Sequence, residues 1–222
     1  MGEMNPKPKQ RKEVPTLKLE ESYWERGFEH IAGVDEAGRG PLAGPVVAGA
    51  VILPKGLTID GVNDSKKLSA KQREFLYHRI FEVALSVGVG IVSHEVIDRI
   101  NIYQASILAM RKAIEKLTFP PAIVLADGNS FKHESLRFQN VINGDATSMT
   151  IAAASIVAKV TRDALMREYH MQFPGYGFDR HKGYGTRMHV DALRRLGLCP
   201  IHRRTFHIPD SSEPPAAGHP TS

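Results

Sequence analysis

Short apolar runs bounded by glycine or proline alternate along the chain with longer stretches in which apolar residues recur every three to four positions. EHIAGVDE (29–36) and PVVAGAVIL (45–53) are Val- and Ile-rich runs of strand length, joined by the loop AGRGPLAG. In KQREFLYHRIFEVAL, Phe75, Leu76, Ile80, Val83 and Ala84 recur at helical spacing, and Ser69 with Gln72 supplies a capping box at the head of that helix. VGVGIV (87–92) predicts a third strand, 102–117 a helix broken by Pro120 and Pro121, AIVLAD (122–127) a buried strand, and 137–142 a short one. DATSMTIAAASIVAKVTRDALMREYHM begins with cap-type residues and is small and apolar from Ile151 to Ala158, the pattern of a helix pressed closely onto a sheet. A glycine-punctuated loop, FPGYGFDRHKGYG, precedes a last helix near 187–198, stopped by Pro200. Strands first, then alternating helices and strands, predict a mixed α/β sheet flanked by helices with a helical C-terminal extension. No internal repeat is visible.

Composition narrows the class. The 222 residues are 42% hydrophobic, enough to bury a core over 29–207, whereas 1–28 reads as a disordered basic tail and 208–222 as a disordered Pro/Ser-rich one. A single cysteine, Cys199, excludes an internal disulfide. The longest apolar stretch, 41–53, is too short and too rich in Gly and Pro to span a bilayer, so a soluble cytoplasmic monomer with no membrane partner is expected. The net charge of +5 favours a polyanionic partner, and Arg180, Lys182, Arg187, Arg194, Arg195, Arg203 and Arg204 concentrate positive charge in 179–204. A solvated helix face explains that clustering equally well.

Two motifs carry candidate chemistry. GRGPLA (38–43) matches the dinucleotide-binding glycine pattern, but Pro41 removes an N–H, a strand-like run follows where a helix is needed, and two carboxylates stand where pyrophosphate would lie. Arg39-Gly40 likewise fails the P-loop pattern. The second motif is acidic: Asp35 and Glu36 end one apolar strand, Asp127 ends another, and Asp145 heads a third element. Carboxylates gathered at neighbouring strand ends repel unless a cation lies among them, and an all-oxygen set suits Mg²⁺ or Mn²⁺ better than zinc. Two such ions about 4 Å apart can activate water and stabilise a leaving oxygen in phosphodiester hydrolysis. Turn and N-cap placement accounts for Asp127 and Asp145 as readily at this level. Cys199, His202 and His207 suggest part of a zinc site but lack a fourth ligand at suitable spacing.

IAGVDEAGRGPLAGPVVAGAVIL (31–53) closely resembles the N-terminal signature of bacterial ribonuclease HII, a type 2 ribonuclease H. The likeness continues through DSKKLS (64–69), LADG (125–128), NGDATSMTIAAASIVAKVTRD (143–163) and HKGYGT (181–186), covering roughly 29–200. The related ribonuclease HIII usually carries Lys in place of Arg39 and adds an N-terminal substrate-binding domain, for which the 28 tail-like residues leave no room. The resemblance implies a ribonuclease H-like fold and an endonuclease acting 5′ of ribonucleotides in RNA–DNA hybrids and of single ribonucleotides in duplex DNA. Two-metal-ion hydrolysis with Mg²⁺ or Mn²⁺ would leave 3′-hydroxyl and 5′-phosphate ends. Asp35, Glu36, Asp127 and Asp145 fall on the family's metal-binding carboxylates; Gly38, Arg39 and Gly40 on the loop that reads the ribose 2′-hydroxyl; Tyr184 on the tyrosine that stacks on the next deoxyribose. Ser65 and Lys66 fall in a phosphate-contacting loop, and Ser155, Lys159 and Arg162 on a helix that touches the strand backbone. Physics agrees on two points. Backbone groups reach a 2′-hydroxyl best where glycines remove bulk, and i, i+4, i+7 spacing puts Ser155, Lys159 and Arg162 on one helix face. Replication or repair partners for the tails are not legible. A non-catalytic hybrid-binding module and another nuclease of the same broad fold are the rival readings.

Overall fold

The computed structural model describes residues 14–208. What the sequence suggests for 1–13 and 209–222 lies outside the described residues. In chain order the elements are α1 (Lys18–Trp24), β1 (Ile31–Ala37), β2 (Val46–Ile52), α2 (Ala70–Val83), β3 (Ser86–Val92), α3 (His94–Glu115), β4 (Ile123–Asp127), β5 (Phe138–Val141), α4 (Gly144–Thr147), α5 (Met149–Gln172), α6 (Phe178–His181) and α7 (Arg187–Leu196). The five strands form one mixed sheet in the order β3-β2-β1-β4-β5, with β1 antiparallel to β2 and parallel to β4.

Alternation along the strands divides two cores. Ile31, Val51, Ile123 and Leu125 pack under α5, while Ala32, Val34, Val124 and Ala126 pack under α3 on the opposite face. The α5 backbone can approach β1 because position 33 is glycine; a Cβ there would sit inside the Thr150 carbonyl group. A third core of Leu42, Met166, Phe178, Leu193 and Ile201 joins the C-terminal helices to the loop after β1. Thus the extension is fastened to that loop. No helix among the described residues is long and apolar enough to cross a membrane.

Several elements depart from the sequence expectation. Residues assigned to the N-terminal tail form α1, which buries Glu20, Tyr23 and Trp24. Glu20 Oε1 accepts from the Ser148 hydroxyl at 2.7 Å, the Thr150 amide at 2.9 Å and the Thr150 hydroxyl at 2.8 Å, a buried acceptor at the N-terminus of α5. Glu20→Ala would strand those donors in a dry site and is expected to cost about 3 kcal/mol of unfolding free energy, measured by urea melts; a loss below about 0.5 kcal/mol would contradict this role. Helix α3 begins eight residues before the predicted 102, and Asn101 breaks its regularity at φ 66°. The Ser69–Gln72 capping box forms as expected, and Leu76 and Ile80 face the core, but Phe75 is 69% exposed. Helix α7 stops at Leu196, before Gly197 at φ 72°, two residues short of the expected 198.

Candidate functional site

The sheet itself gathers the acidic residues. Val34 lies opposite Ala126 in the parallel β1–β4 pair, so the next positions, Asp35 and Asp127, stand side by side at the same end of the sheet. Both share the parity of residues packed under α5, so both carboxylates face that helix. Asp145 arrives from α4, the single turn in front of α5. Asp127 ties it in place: its Oδ1 accepts from the Gly144 amide at 2.7 Å and the Asp145 amide at 3.4 Å. Glu36 follows Asp35 on the strand, and its amide donates to Asp35 Oδ1 at 2.7 Å.

These groups feel one another. Burial raises the Asp35 carboxyl well above the ordinary carboxylate range, reinforced by Asp127, Glu36 and Asp145. Burial also raises Glu36, against the opposing pull of Arg39, whose Nη1 lies 3.2 Å from Glu36 Oε1. Asp145 is pushed up to about 6 by burial, then by Asp127 and Asp64, with Lys66 and Lys67 opposing. Lys66 Nζ is 3.8 Å from Asp145 Oδ2. Among the described residues no three His, Cys, Asp or Glu side chains converge as tightly as the ligands of a bound ion. The donor set nevertheless fits a hard divalent cation, being oxygen-only and mutually repelling despite Arg39 and Lys66 at its rim.

The sign of the resulting pH dependence is fixed. An unfolded aspartate titrates near 3.8 and Asp145 near 6 when folded, so its contribution to stability is present below the lower value and lost as pH rises through the higher one. Metal-free protein is therefore expected to gain more in melting temperature from Mn²⁺ at pH 8 than at pH 5, as read by differential scanning fluorimetry. An equal gain at both would contradict a carboxylate site.

The glycine loop lies beside this cluster, held by two buried arginines whose guanidinium groups donate to backbone carbonyls. Arg203 donates from Nε to the Gly44 carbonyl at 3.0 Å, from Nη1 to Arg39 at 2.9 Å and from Nη2 to Gly38 at 2.6 Å. Arg162 donates from Nε to Pro45 at 3.0 Å, from Nη1 to Lys182 at 3.1 Å and from Nη2 to Ala43 at 3.2 Å. Desolvation, then Arg162, pull the Arg203 guanidinium down to about 9, which leaves it protonated at neutral pH. Gly38 sits at φ 98° directly over the Arg162 side chain. Tyr184 reaches the same loop: its ring edge lies 3.8 Å from where a Gly40 Cβ would be, and Arg162 lies under the ring at 5.9 Å.

Not every expected residue keeps its expected position. Arg162 is fully buried and bound to carbonyls, so it holds the loop rather than facing a nucleic-acid strand. Ser155 is also buried; its hydroxyl donates to Ser65 Oγ at 2.7 Å, and Lys159 pairs with Asp163 at 2.9 Å. Arg203 is buried as well, which subtracts it from the positive surface of 179–204. Its role was hidden in the sequence, because HRR reads as surface charge and its acceptors lie about 160 positions away. Both ring nitrogens of His202 are engaged, one by the Cys199 amide and one by His189, which removes it from any zinc site with Cys199 and His207.

The mixed five-stranded sheet flanked by helices is a ribonuclease H-like fold, shared with solved ribonucleases H2 and HII. The family model for ribonuclease HII matches residues 32–208. The chain belongs to the ribonuclease HII family and is a metal-dependent endoribonuclease. It is 58% identical over 180 residues to ribonuclease HII of Geobacter metallireducens, covering 81% of this chain and 84% of that one. It is 51% identical over 213 residues to that of Geobacter sp. strain M21, covering 94% and 93%. Among solved structures it resembles ribonuclease H2 of Pyrococcus horikoshii, with a TM-score of 0.67 at 26% identity over 81% of this chain and 94% of the other. A similar likeness, TM-score 0.68 at 26% identity over 82% and 98%, is to ribonuclease HII of Archaeoglobus fulgidus, solved in complex with PCNA.

Proposed function

We propose that this enzyme cleaves the phosphodiester 5′ of a ribonucleotide, in RNA–DNA hybrids and at single ribonucleotides within duplex DNA, leaving 3′-hydroxyl and 5′-phosphate ends. The observation that carries this reading is the placement of the acidic cluster beside the 38–40 loop and Tyr184, so that a recognised sugar lies next to the reacting phosphate. Asp35, Glu36, Asp127 and Asp145 would hold Mg²⁺ or Mn²⁺. Bound there, two such ions would activate water and offset charge on the leaving oxygen.

The chain's own groups supply selection and orientation. Backbone groups of Gly38, Arg39 and Gly40 contact the 2′-hydroxyl, the feature by which a protein tells RNA from DNA at one nucleotide. The Tyr184 ring, 43% exposed, lies against the following sugar and favours one without a hydroxyl, which sets a preference for an RNA-to-DNA step. Ser65, Lys66 and Lys159 meet backbone phosphates; Lys66, with its side chain largely exposed, is the most accessible of them. Ser155 and Arg162 act from beneath, the first on Ser65 and the second on the loop. The enzyme works as a cytoplasmic monomer on ribonucleotide-containing duplexes.

The test is a labelled duplex carrying one ribonucleotide, incubated with Mg²⁺ or Mn²⁺ beside an all-DNA control. Cutting of the first alone, on the 5′ side of the ribonucleotide, is expected. Binding without cutting would leave a hybrid-binding module, and equal cutting of both would leave a nuclease blind to the sugar.

A further inference from the structure

Beneath Tyr184 lies a cluster of three buried histidines that the proposed chemistry does not use: His181, His189 and His202. His181 and His189 stack with ring centroids 4.5 Å apart, and Phe178 closes the cluster edge-on. In the neutral cluster the Tyr184 carbonyl, a group that can only accept, lies 3.0 Å from His189 Nδ1 and places the His189 proton there. His189 Nε2 then accepts from His202 Nε2 at 3.0 Å. His202 Nδ1 is left to accept from the Cys199 amide at 2.9 Å, although the Cys199 carbonyl lies 3.2 Å from the same nitrogen.

This set of protons belongs to neutral rings, since a second proton on His189 would oppose the His202 Nε2–H and turn the His202 proton to Nδ1, toward the Cys199 carbonyl. Burial supplies that condition: desolvation, then His181, pull His189 down to about 4, and desolvation lowers His181 and His202. His181 is fixed separately, its Nδ1 accepting from the Gly183 amide at 3.2 Å and its Nε2 donating to the Tyr176 carbonyl at 2.7 Å. Around Tyr184 the backbone is unusual, with Lys182 at φ 52° and Gly183 at φ 85° immediately before it. The turn is tied to α6 by the Lys182 and Tyr184 amides and to the glycine loop by the Leu42 amide on the Gly183 carbonyl, while the Tyr184 carbonyl is held by the Thr186 amide and the His189 ring.

We propose that His189, oriented by His202, is the positioning residue that sets the Tyr184 ring against the glycine loop and so determines how strictly the enzyme prefers an RNA-to-DNA step. This rests on the reading that Tyr184 meets the sugar beyond the ribonucleotide. The preference would then depend on a proton held at His189 Nδ1, in a residue that touches no substrate.

The test compares kcat/KM on a duplex with one embedded ribonucleotide against a continuous RNA–DNA hybrid, for wild type, Tyr184→Ala, His189→Gln and His189→Asn. Asn places an amide N–H where Nδ1 stands, whereas Gln places one where Nε2 stands. The ratio is expected to fall about tenfold for His189→Gln, through kcat on the embedded ribonucleotide, and to stay within about threefold of wild type for His189→Asn. If Tyr184→Ala leaves the ratio unchanged, the assignment of Tyr184 itself fails. If Tyr184→Ala collapses the ratio while His189→Gln does not, or Asn and Gln behave alike, the positioning role is overturned. Should the variants not fold, ¹⁵N NMR of wild-type histidines decides: a protonated His189 Nδ1 with a through-hydrogen-bond coupling between His189 Nε2 and His202 Nε2 is expected, and the opposite tautomer overturns the proposal.

Discussion

Asp35→Asn is expected to fold normally and to lose at least on the order of a thousandfold in turnover on a ribonucleotide-containing duplex. Asp35 lies near the C-terminal end of β1, the central strand of the sheet, and interacts with each of the other three carboxylates, so the change removes the oxygen donor that senses all the rest. Asparagine preserves shape but not charge. Because burial and three neighbouring carboxylates disfavour the Asp35 anion, the same change should raise metal-free stability at pH 8 by about 1 kcal/mol, an instance of activity held at the expense of stability. Steady-state kinetics and a urea melt on one preparation check both signs. Near-normal turnover would remove Asp35 from the chemistry, and a large loss of stability would make its role structural.

Gly38→Ala is the second large effect, and its origin is steric. At φ 98° an L side chain is strained, and a Cβ would collide with the Arg162 side chain and approach the Pro45 carbonyl at 2.8 Å. Arg162 cannot swing aside cheaply, since its three nitrogens hold the carbonyls of Ala43, Pro45 and Lys182. The loop must move instead. A shift near 1 Å at a group that orients substrate costs about 100-fold in rate, and that loss is expected here together with about 2 kcal/mol of stability. Activity within threefold of wild type would mean that the loop conformation does not govern cleavage.

What the sequence revealed was local in origin. The strands β1, β2 and β4 were legible because apolar runs of five to nine residues between glycines and prolines admit few other structures, and α2 because Ser69 and Gln72 form a complete cap. The acidic residues were legible as strand-end and helix-head residues, and the parallel pairing of β1 with β4 makes that placement an adjacency. Features built from distant residues were not. Glu20 lies in a polar stretch, and its partners are 128 and 130 positions along the chain. Arg162 showed the helical spacing of a surface stripe, yet it is buried because the C-terminal extension covers that part of α5. The histidines at 181, 189 and 202 sit in polar surroundings in the sequence, and only the folding of α6 and α7 onto the loop after β1 turns them inward. Periodicity reports which face of an element is apolar, and not what a later element brings to the other face.

Cleavage as proposed requires divalent ions bound among Asp35, Glu36, Asp127 and Asp145. Anomalous diffraction from Mn²⁺-soaked crystals grown with a ribonucleotide-containing duplex measures this most directly. Peaks within coordinating distance of these carboxylates, next to the phosphate 5′ of the ribonucleotide, are predicted. Full occupancy of the duplex with no peak among the four carboxylates, or peaks only elsewhere on the protein, would contradict it.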